Sequence, residues 1–275
     1  MFRLSWFGKV AILALFAVVV CVQMYPLVWM TISSLRPTQD IMTNVLGLPR
    51  GMYLGNFAQV FGAGGFGLVV ANSVVVTAAA TLGVLICAAL AAYAFARFDF
   101  RHREYLFAFM LIGLAVGPEA IIIPLFKLEG MLGIEDTRLG LVLAYMAWTP
   151  FGVLVLRTAF STVPRELIDA ARMDGCSELG IFWRVTLPLA RPALGTVGLF
   201  IAVWVWNDFV LPMVLLRSTD KFTIPKALLL YQTSYSTDFG VICAGLTVGA
   251  LPLILIYCVS QKHFVRGLTA GAIKT

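Results

Sequence analysis

Six apolar runs dominate the sequence and limit what it can fold into. They fall at about Val10 to Ser33, Leu68 to Ala94, Tyr105 to Phe126, Leu139 to Thr158, Ala193 to Leu216 and Gly240 to Ser260. Each is long enough to cross roughly 30 Å of hydrocarbon as a helix of about 20 residues. Lipid offers backbone groups no hydrogen-bond partners, so helices are the default, and the runs lack the alternation of a membrane β-barrel. Composition agrees. The chain has 275 residues, 60% apolar and only 12% charged, where soluble domains carry nearer a quarter. The expected fold is an all-α polytopic membrane protein, a single transmembrane domain over residues 1–275. The first run is too long for the apolar region of a signal peptide and no small-residue cleavage site follows it, so it reads as a retained span.

Basic residues set the expected orientation. With the N-terminus inside, seven of the 20 Lys and Arg residues lie outside (Arg36, Arg50, Lys127, Arg138, Arg217, Lys221, Lys226) and the other thirteen inside. Six spans return the C-terminus to the cytoplasm. The positive charge is thus a topology signal, with no solvated basic face to suggest nucleic acid. Cys21, Cys87, Cys176, Cys243 and Cys258 form no outside-loop framework and no metal-binding spacing. His102 and His263, at inside edges, read as solvated flanks.

Two connections are long. The outside one, about Leu35 to Gly67, is punctuated by Pro and Gly, with a short helix expected around Asn56 to Phe61. The inside one, about 159–192, is charged in an otherwise greasy chain and reads as two short helices. The first starts near Pro164 and ends at Gly175. The second takes Ser177 as N-cap and is expected to stop before Pro188. Leu167, Ala170, Ala171 and Asp174 share one side of the first helix. That narrow face suits a groove on another protein, with Glu166, Asp169, Arg172 and Asp174 placed for charged contacts. The competing reading is an amphipathic helix on the membrane surface, against which its acids argue.

This loop resembles a known family. Asp169-Ala170-Ala171, three residues, Gly175, nine residues and Val185-Thr186-Leu187-Pro188 are similar to the EAA motif of permease subunits in binding-protein-dependent ABC importers, with Asp for Glu and Val for Ile. "AWTPFGVLVLRTAFSTVPRELIDAARMDG", "WNDFVLP" and the tail "GLTAGAIKT" resemble the second permease of the maltose-type, carbohydrate branch. The resemblance covers nearly the whole chain and implies the type I importer permease fold. It implies a coupling helix seated on a partner ATPase, engaging Glu166, Leu167, Asp169, Ala170, Ala171, Asp174, Gly175, Leu187 and Pro188. It further implies a heterodimer with a second permease, two ATP-binding subunits that hold ATP and Mg, an extracytoplasmic solute-binding protein, a sugar-like solute, and residence in the bacterial cytoplasmic membrane. On composition the small, polar tail from Gly267 to Thr275 reads as a disordered end, whereas in maltose-type permeases this tail can reach the ATPase interface. This chain has no phosphate-binding loop and is expected to bind no cofactor or metal and to catalyse nothing.

Polar residues at membrane depth face a bundle interior or a cavity. Glu119, Trp204, Asn207 and Asp208 are candidates for the solute path, since aromatic faces suit sugar C–H surfaces and amides or acids suit hydroxyls. For Asn207 and Asp208 the alternative is bonding between helices, and the same is expected of Asn72 and Ser73. Pro118, Pro124, Pro150, Pro212 and Pro252 are kink candidates. Two rival classes remain: a membrane enzyme, which needs a nucleophile–base pair or metal cluster, and a secondary transporter or channel, which needs no motor dock and favours an inverted repeat.

Overall fold

The structure, a computed structural model, describes residues 6–62, 65–231 and 237–272, with the side chains of 118–119, 256–257 and 259–272 outside that description. The described residues are almost entirely helical. The chain divides into two compact units, Met1–Gly67 with Ala227–Pro252 and Leu68–Lys226 with Leu253–Thr275.

In the first unit, α1 (Trp6–Ser33) leads to α2 (Thr38–Thr43) and α3 (Gly55–Phe61). The apolar stretch of α1 is exposed along its length, as expected of a helix whose partner is lipid. Arg36 is 3% exposed and donates from Nη2 to the carbonyls of Asp40 and Asn44, both at 2.8 Å. It thereby satisfies carbonyls at the C-terminus of α2. Asn56, buried on α3, donates to the carbonyls of Ser34 and Arg36. The helix expected around Asn56 is present, but Asn56 and Val60 point inward.

The second unit holds most of α4 (Phe66–Arg97), then α5 (Arg103–Ile112), α6 (Pro118–Leu132), α7 (Arg138–Tyr145), α8 (Thr149–Ser161), α9 (Arg165–Met173), α10 (Glu178–Ile181), α11 (Leu187–Leu189), α12 (Arg191–Asn207), α13 (Val210–Leu215) and the start of α14 (Ile224–Ala227). The final helix, α15 (Phe239–Ala272), contains Pro252. Ala80, Val84, Ala88 and Ala92 form a fully buried stripe on α4. Small residues let helices approach closely in a membrane. A Cβ at Gly152 of α8 would lie 2.6 Å from that of Ala88, so glycine is required there.

Among the described residues, three helices are long and apolar enough to span a bilayer: Trp6–Ser33, Phe66–Arg97 and Arg138–Ser161. Counting two bent pairs as single spans gives up to five, and Phe239–Leu255 is a shorter apolar helix. Two of the six runs differ from expectation. The run Tyr105 to Phe126 bends by 102° between Arg103–Ala115 and Ala120–Leu132. Pro118 forces Gly117 into extended backbone (φ −64°, ψ 149°). The run Ala193 to Leu216 is also broken, at Asp208, where φ is −69° and ψ 131°. Pro118 and Pro150 open helices, and their missing N–H groups cost nothing there.

Candidate coupling loop and membrane tract

The charged loop folds as a closed hairpin. Pro164 stands at the N-cap of α9, and Asp174 at its C-cap. Gly175 follows with φ +81°, a left-handed conformation that costs other residues about 1–2 kcal/mol. The Gly175 N–H donates to the Arg172 carbonyl and the Cys176 N–H to the Ala171 carbonyl, both at 3.0 Å. These two bonds make a Schellman ending. Ser177 then caps α10, its hydroxyl accepting the Gly180 N–H at 3.2 Å.

Inside the hairpin, Val163, Ile168, Ala171 and Ile181 form an apolar cluster with Cys176 and Val185 against it. This corrects one expectation. Ala171 does not share the exposed face with Leu167 and Ala170. It packs inward beside Ile168, whose apolar bulk decides which side of the helix is buried. The exposed side carries Glu166, Leu167, Asp169, Ala170, Met173 and Asp174. Ile168 and Met173 were missed from the sequence, although an Ile three residues before Ala171 is an inward signal.

The second expectation to fail concerns Pro188. The helix does not stop before it. A π-helical turn, Phe182–Thr186, widens the backbone, and α11 continues through Leu187 and Pro188. The Leu187 N–H reaches back to the Phe182 carbonyl, so the ladder is already displaced where the proline would break it. Leu187 and Pro188 are half-buried.

Glu178 joins this hairpin to α4. Its carboxylate accepts from Arg172 Nε at 2.9 Å and from the Tyr93 hydroxyl at 3.2 Å. Arg97 of α4 donates to the carbonyls of Phe160 at 2.6 Å and Val163 at 3.1 Å, where α8 hands over to α9. Tyr93 also lies edge-on to Phe160 and Phe182.

The membrane tract is organised by Asp208. After α12 ends, its carboxylate accepts the N–H groups of Val210 and Leu211 at 3.1 and 3.3 Å, and the Tyr145 hydroxyl at 2.8 Å. It caps α13, and Pro212 falls in the first turn, where its missing N–H is tolerated. Lys226, 9% exposed, donates to the carbonyls of Met213 and Leu216 at the other end. Burial pushes its ammonium pKa down, partly opposed by Asp136.

The segment beyond α13 is held by three polar side chains. Asp136, itself at φ +53°, accepts the N–H groups of Arg217 and Ser218 at 2.7 and 3.1 Å and the Lys221 ammonium at 3.1 Å. Asn72 donates to the carbonyls of Asp220 and Phe222, and Ser73 accepts the Ile224 N–H at 2.8 Å. Asn72 and Ser73 thus bond to the backbone of this segment.

The solute-path candidates separate. Asp208 accepts three hydrogen bonds, two in capping α13 and one from Tyr145. Asn207 is exposed and its amide donates only to the Val203 carbonyl of its own helix, at 2.8 Å. Trp204, 44% exposed, lies on the same side one turn earlier. Its ring sits 3.8 Å, centroid to centroid, from Trp148, with Phe151 at 5.9 Å. Glu119 belongs to α6, but its side chain lies outside the described residues, as do the side chains of the 267–275 tail. Trp148, Phe151 and Tyr145 were not anticipated. The sequence cue for Tyr145 is indirect, since a half-buried acid within an apolar run calls for donors.

No cluster of His, Cys, Asp and Glu able to hold a metal occurs among the described residues.

Residues 83–270 match the family model described as binding-protein-dependent transport system inner membrane component. The chain is 32% identical to an arabinooligosaccharides transport system permease protein of Halalkalibacterium halodurans, over 98% of its length and 97% of the relative's. It is 33% identical to a diacetylchitobiose uptake system permease protein of Streptomyces coelicolor, over 96% and 87%. In fold it is similar to a chain of a bacterial ABC transporter involved in alginate import, with a TM-score of 0.83 over 96% of this chain and all of that one, at 24% identity.

Proposed function

This chain belongs to the family of binding-protein-dependent transport system inner membrane components, and from that premise we propose that it forms half of the pore of an ATP-driven importer for a sugar-like solute. The carbohydrate class rests on relatives named for arabinooligosaccharides and diacetylchitobiose. The whole chain, residues 1–275, works as one permease domain of six spans with both termini in the cytoplasm. The loop at about 159–192 is its cytoplasmic part. The pore is completed by a second permease. Two ATP-binding subunits carry ATP and Mg, and an extracytoplasmic solute-binding protein delivers the solute.

The observation that carries the reading is the hairpin closed at Gly175. It presents Leu167, Ala170 and Met173 to solvent, ringed by Glu166, Asp169 and Asp174. An apolar strip with an acidic rim on a nine-residue helix fits a groove with basic edges. Movement of that groove on ATP binding would push the hairpin, and hydrolysis would release it. Gly175, Leu187 and Pro188 set the hairpin's shape, and Ala171 fixes its core.

The solute path runs past Trp204 and Asn207. A break in a helix at membrane depth leaves polar backbone that lipid cannot satisfy, so it borders protein or a water-filled cavity. Asn207, exposed near the tilted ring pair of Trp148 and Trp204, offers an amide next to an aromatic surface. Asp208 holds the break itself, accepting from Val210, Leu211 and Tyr145.

Ala170→Glu tests the dock. A charge added to the exposed strip would be buried against the ATPase, so the ATP-binding subunits should no longer co-purify while this chain accumulates normally in the membrane. Undiminished co-purification would remove the loop as the dock.

A further inference from the structure

A signal from a solute-binding protein on the outer face must cross the membrane to reach an ATPase on the inner one. Besides α7 and α8, which run from beside the Asp136 clamp on Arg217 and Ser218 into the hairpin, the second unit offers two further connections between the hairpin and the tract beyond Asp208. One is covalent, through α12. It begins at a 78° bend between Glu178–Leu189 and Arg191–Asn207, directly after the π-helical turn. A junction of that kind pivots. The other is α4, an unbroken, proline-free helix of 32 residues.

We infer that α4 is the rod that keeps the hairpin and the outer tract in step. It is gripped at both ends by polar contacts. At the inner end the Tyr93 hydroxyl is held by Glu178, which also holds Arg172 of α9, and Arg97 holds the carbonyls of Phe160 and Val163. At the outer end Asn72 and Ser73 hold the backbone of Asp220, Phe222 and Ile224. From Ser73 to Tyr93 is 20 residues, about 30 Å along a helix axis, which is the thickness of the hydrocarbon. Between these grips α4 packs through Ala88 against Gly152 and through Leu85 against Gly198, so it cannot rotate independently of α8 and α12. Without the grips on α4, a displaced hairpin would turn about the bend at the start of α12, and only the Asp136 clamp at the head of α7 would follow it. With α4 tied at both ends, the two helices act as a frame, and the displacement reaches the segment 217–224. The polar grips then matter for coupling more than for folding, because the apolar packing along α4 survives their removal. Tyr93 and Ser73 are positioning residues, acting through Glu178 and Ile224.

This inference rests on the hairpin being the ATPase dock, and the test separates the two. The assembled transporter carrying Tyr93→Phe, Ser73→Ala or both is reconstituted in vesicles. Co-purification of the ATP-binding subunits, basal hydrolysis and hydrolysis stimulated by the solute-binding protein are measured. Each single change should leave co-purification and basal hydrolysis unaltered and lower the stimulation roughly five- to tenfold, the size of a typical coupling between sites. The double variant should be no worse than the weaker single one, since both interrupt the same rod. If Tyr93→Phe does not accumulate, Glu178→Gln supplies the inner measurement. Asn72→Ala serves likewise for Ser73→Ala. Wild-type stimulation in both singles, or multiplicative losses in the double, overturns the inference. So does weaker co-purification in Tyr93→Phe, which makes the contact part of docking. By contrast, normal co-purification in Ala170→Glu overturns the dock itself.

Discussion

The chain interrupts a helix at Gly175 and at Asp208, and closes the two breaks by opposite means. At Gly175 every partner is local. The carbonyls of Ala171 and Arg172 accept from Cys176 and Gly175, and Ser177 restarts the chain three residues before the N–H it caps. Groups left over meet water. At Asp208 the two N–H groups it accepts are local, but the third bond comes from Tyr145, 63 positions away, and the far end of α13 depends on Lys226. In water a break needs only the right residue at the bend. At membrane depth every freed polar group needs a protein partner, wherever in the sequence it lies.

Removing the long-range closure should have the largest effect. Asp208→Leu strands the Tyr145 hydroxyl and the N–H groups of Val210 and Leu211. At about 1–3 kcal/mol for each buried unsatisfied group, the variant should fail to accumulate or lose most of its thermal stability in detergent. Tyr145→Phe should relieve part of that loss when combined with it. If Asp208→Leu has wild-type stability, the tract is not held as described.

Gly175→Asp should be milder in stability and sharper in function. Strain of about 1–2 kcal/mol at a left-handed residue falls on a hairpin outside the apolar runs, so the spans should still insert and accumulate. Uptake should be lost because α9 is misdirected. A variant with normal uptake would show that the hairpin tolerates another ending, and the contrast with Asp208 would narrow to burial alone.

The smallest effect concerns pH at Asp136. Burial alone would raise its carboxyl pKa, but the Ser218 hydroxyl, the N–H groups of Arg217 and Ser218, and the Lys221 ammonium outweigh it and hold the pKa well below the usual carboxylate range. A group depressed in the folded state stabilises it above the unfolded pKa, about 3.9, and the stabilisation is lost as pH falls through the folded value. The segment 217–221 should therefore stay protected from proteolysis in vesicles throughout pH 5–8. Asp136→Asn should lower that protection uniformly across the same range. A protection that changes with pH between 5 and 8 in the wild type would assign the clamp to another group.

Much of this was legible in the residues. The hydrocarbon length of the first, second and fourth runs, the N-cap at Ser177 and the stop at Gly175 are local consequences of side-chain type, and the structure keeps them. The spacing from Asp169 to Pro188 pointed to the family. What was misread lay where distant parts meet. Ala171 looked exposed until Ile168 and Ile181 buried it. Pro188 looked like a stop until a π-helical turn made room for it. The run through Asp208 looked like one helix because hydropathy records how apolar a residue is and is blind to which backbone donors a carboxylate will take.

The sequence by itself determined that the chain lives in a bilayer and where a charged hairpin must leave it, because transfer to hydrocarbon and left-handed backbone are properties of single residues and short windows. Only the tertiary structure decided that Asp208 answers to Tyr145, that Trp204 meets Trp148, and that α4 carries polar grips at both ends. Those pairings join residues many tens of positions apart, and a buried polar group finds its partner by proximity in the fold, which no local window of sequence contains.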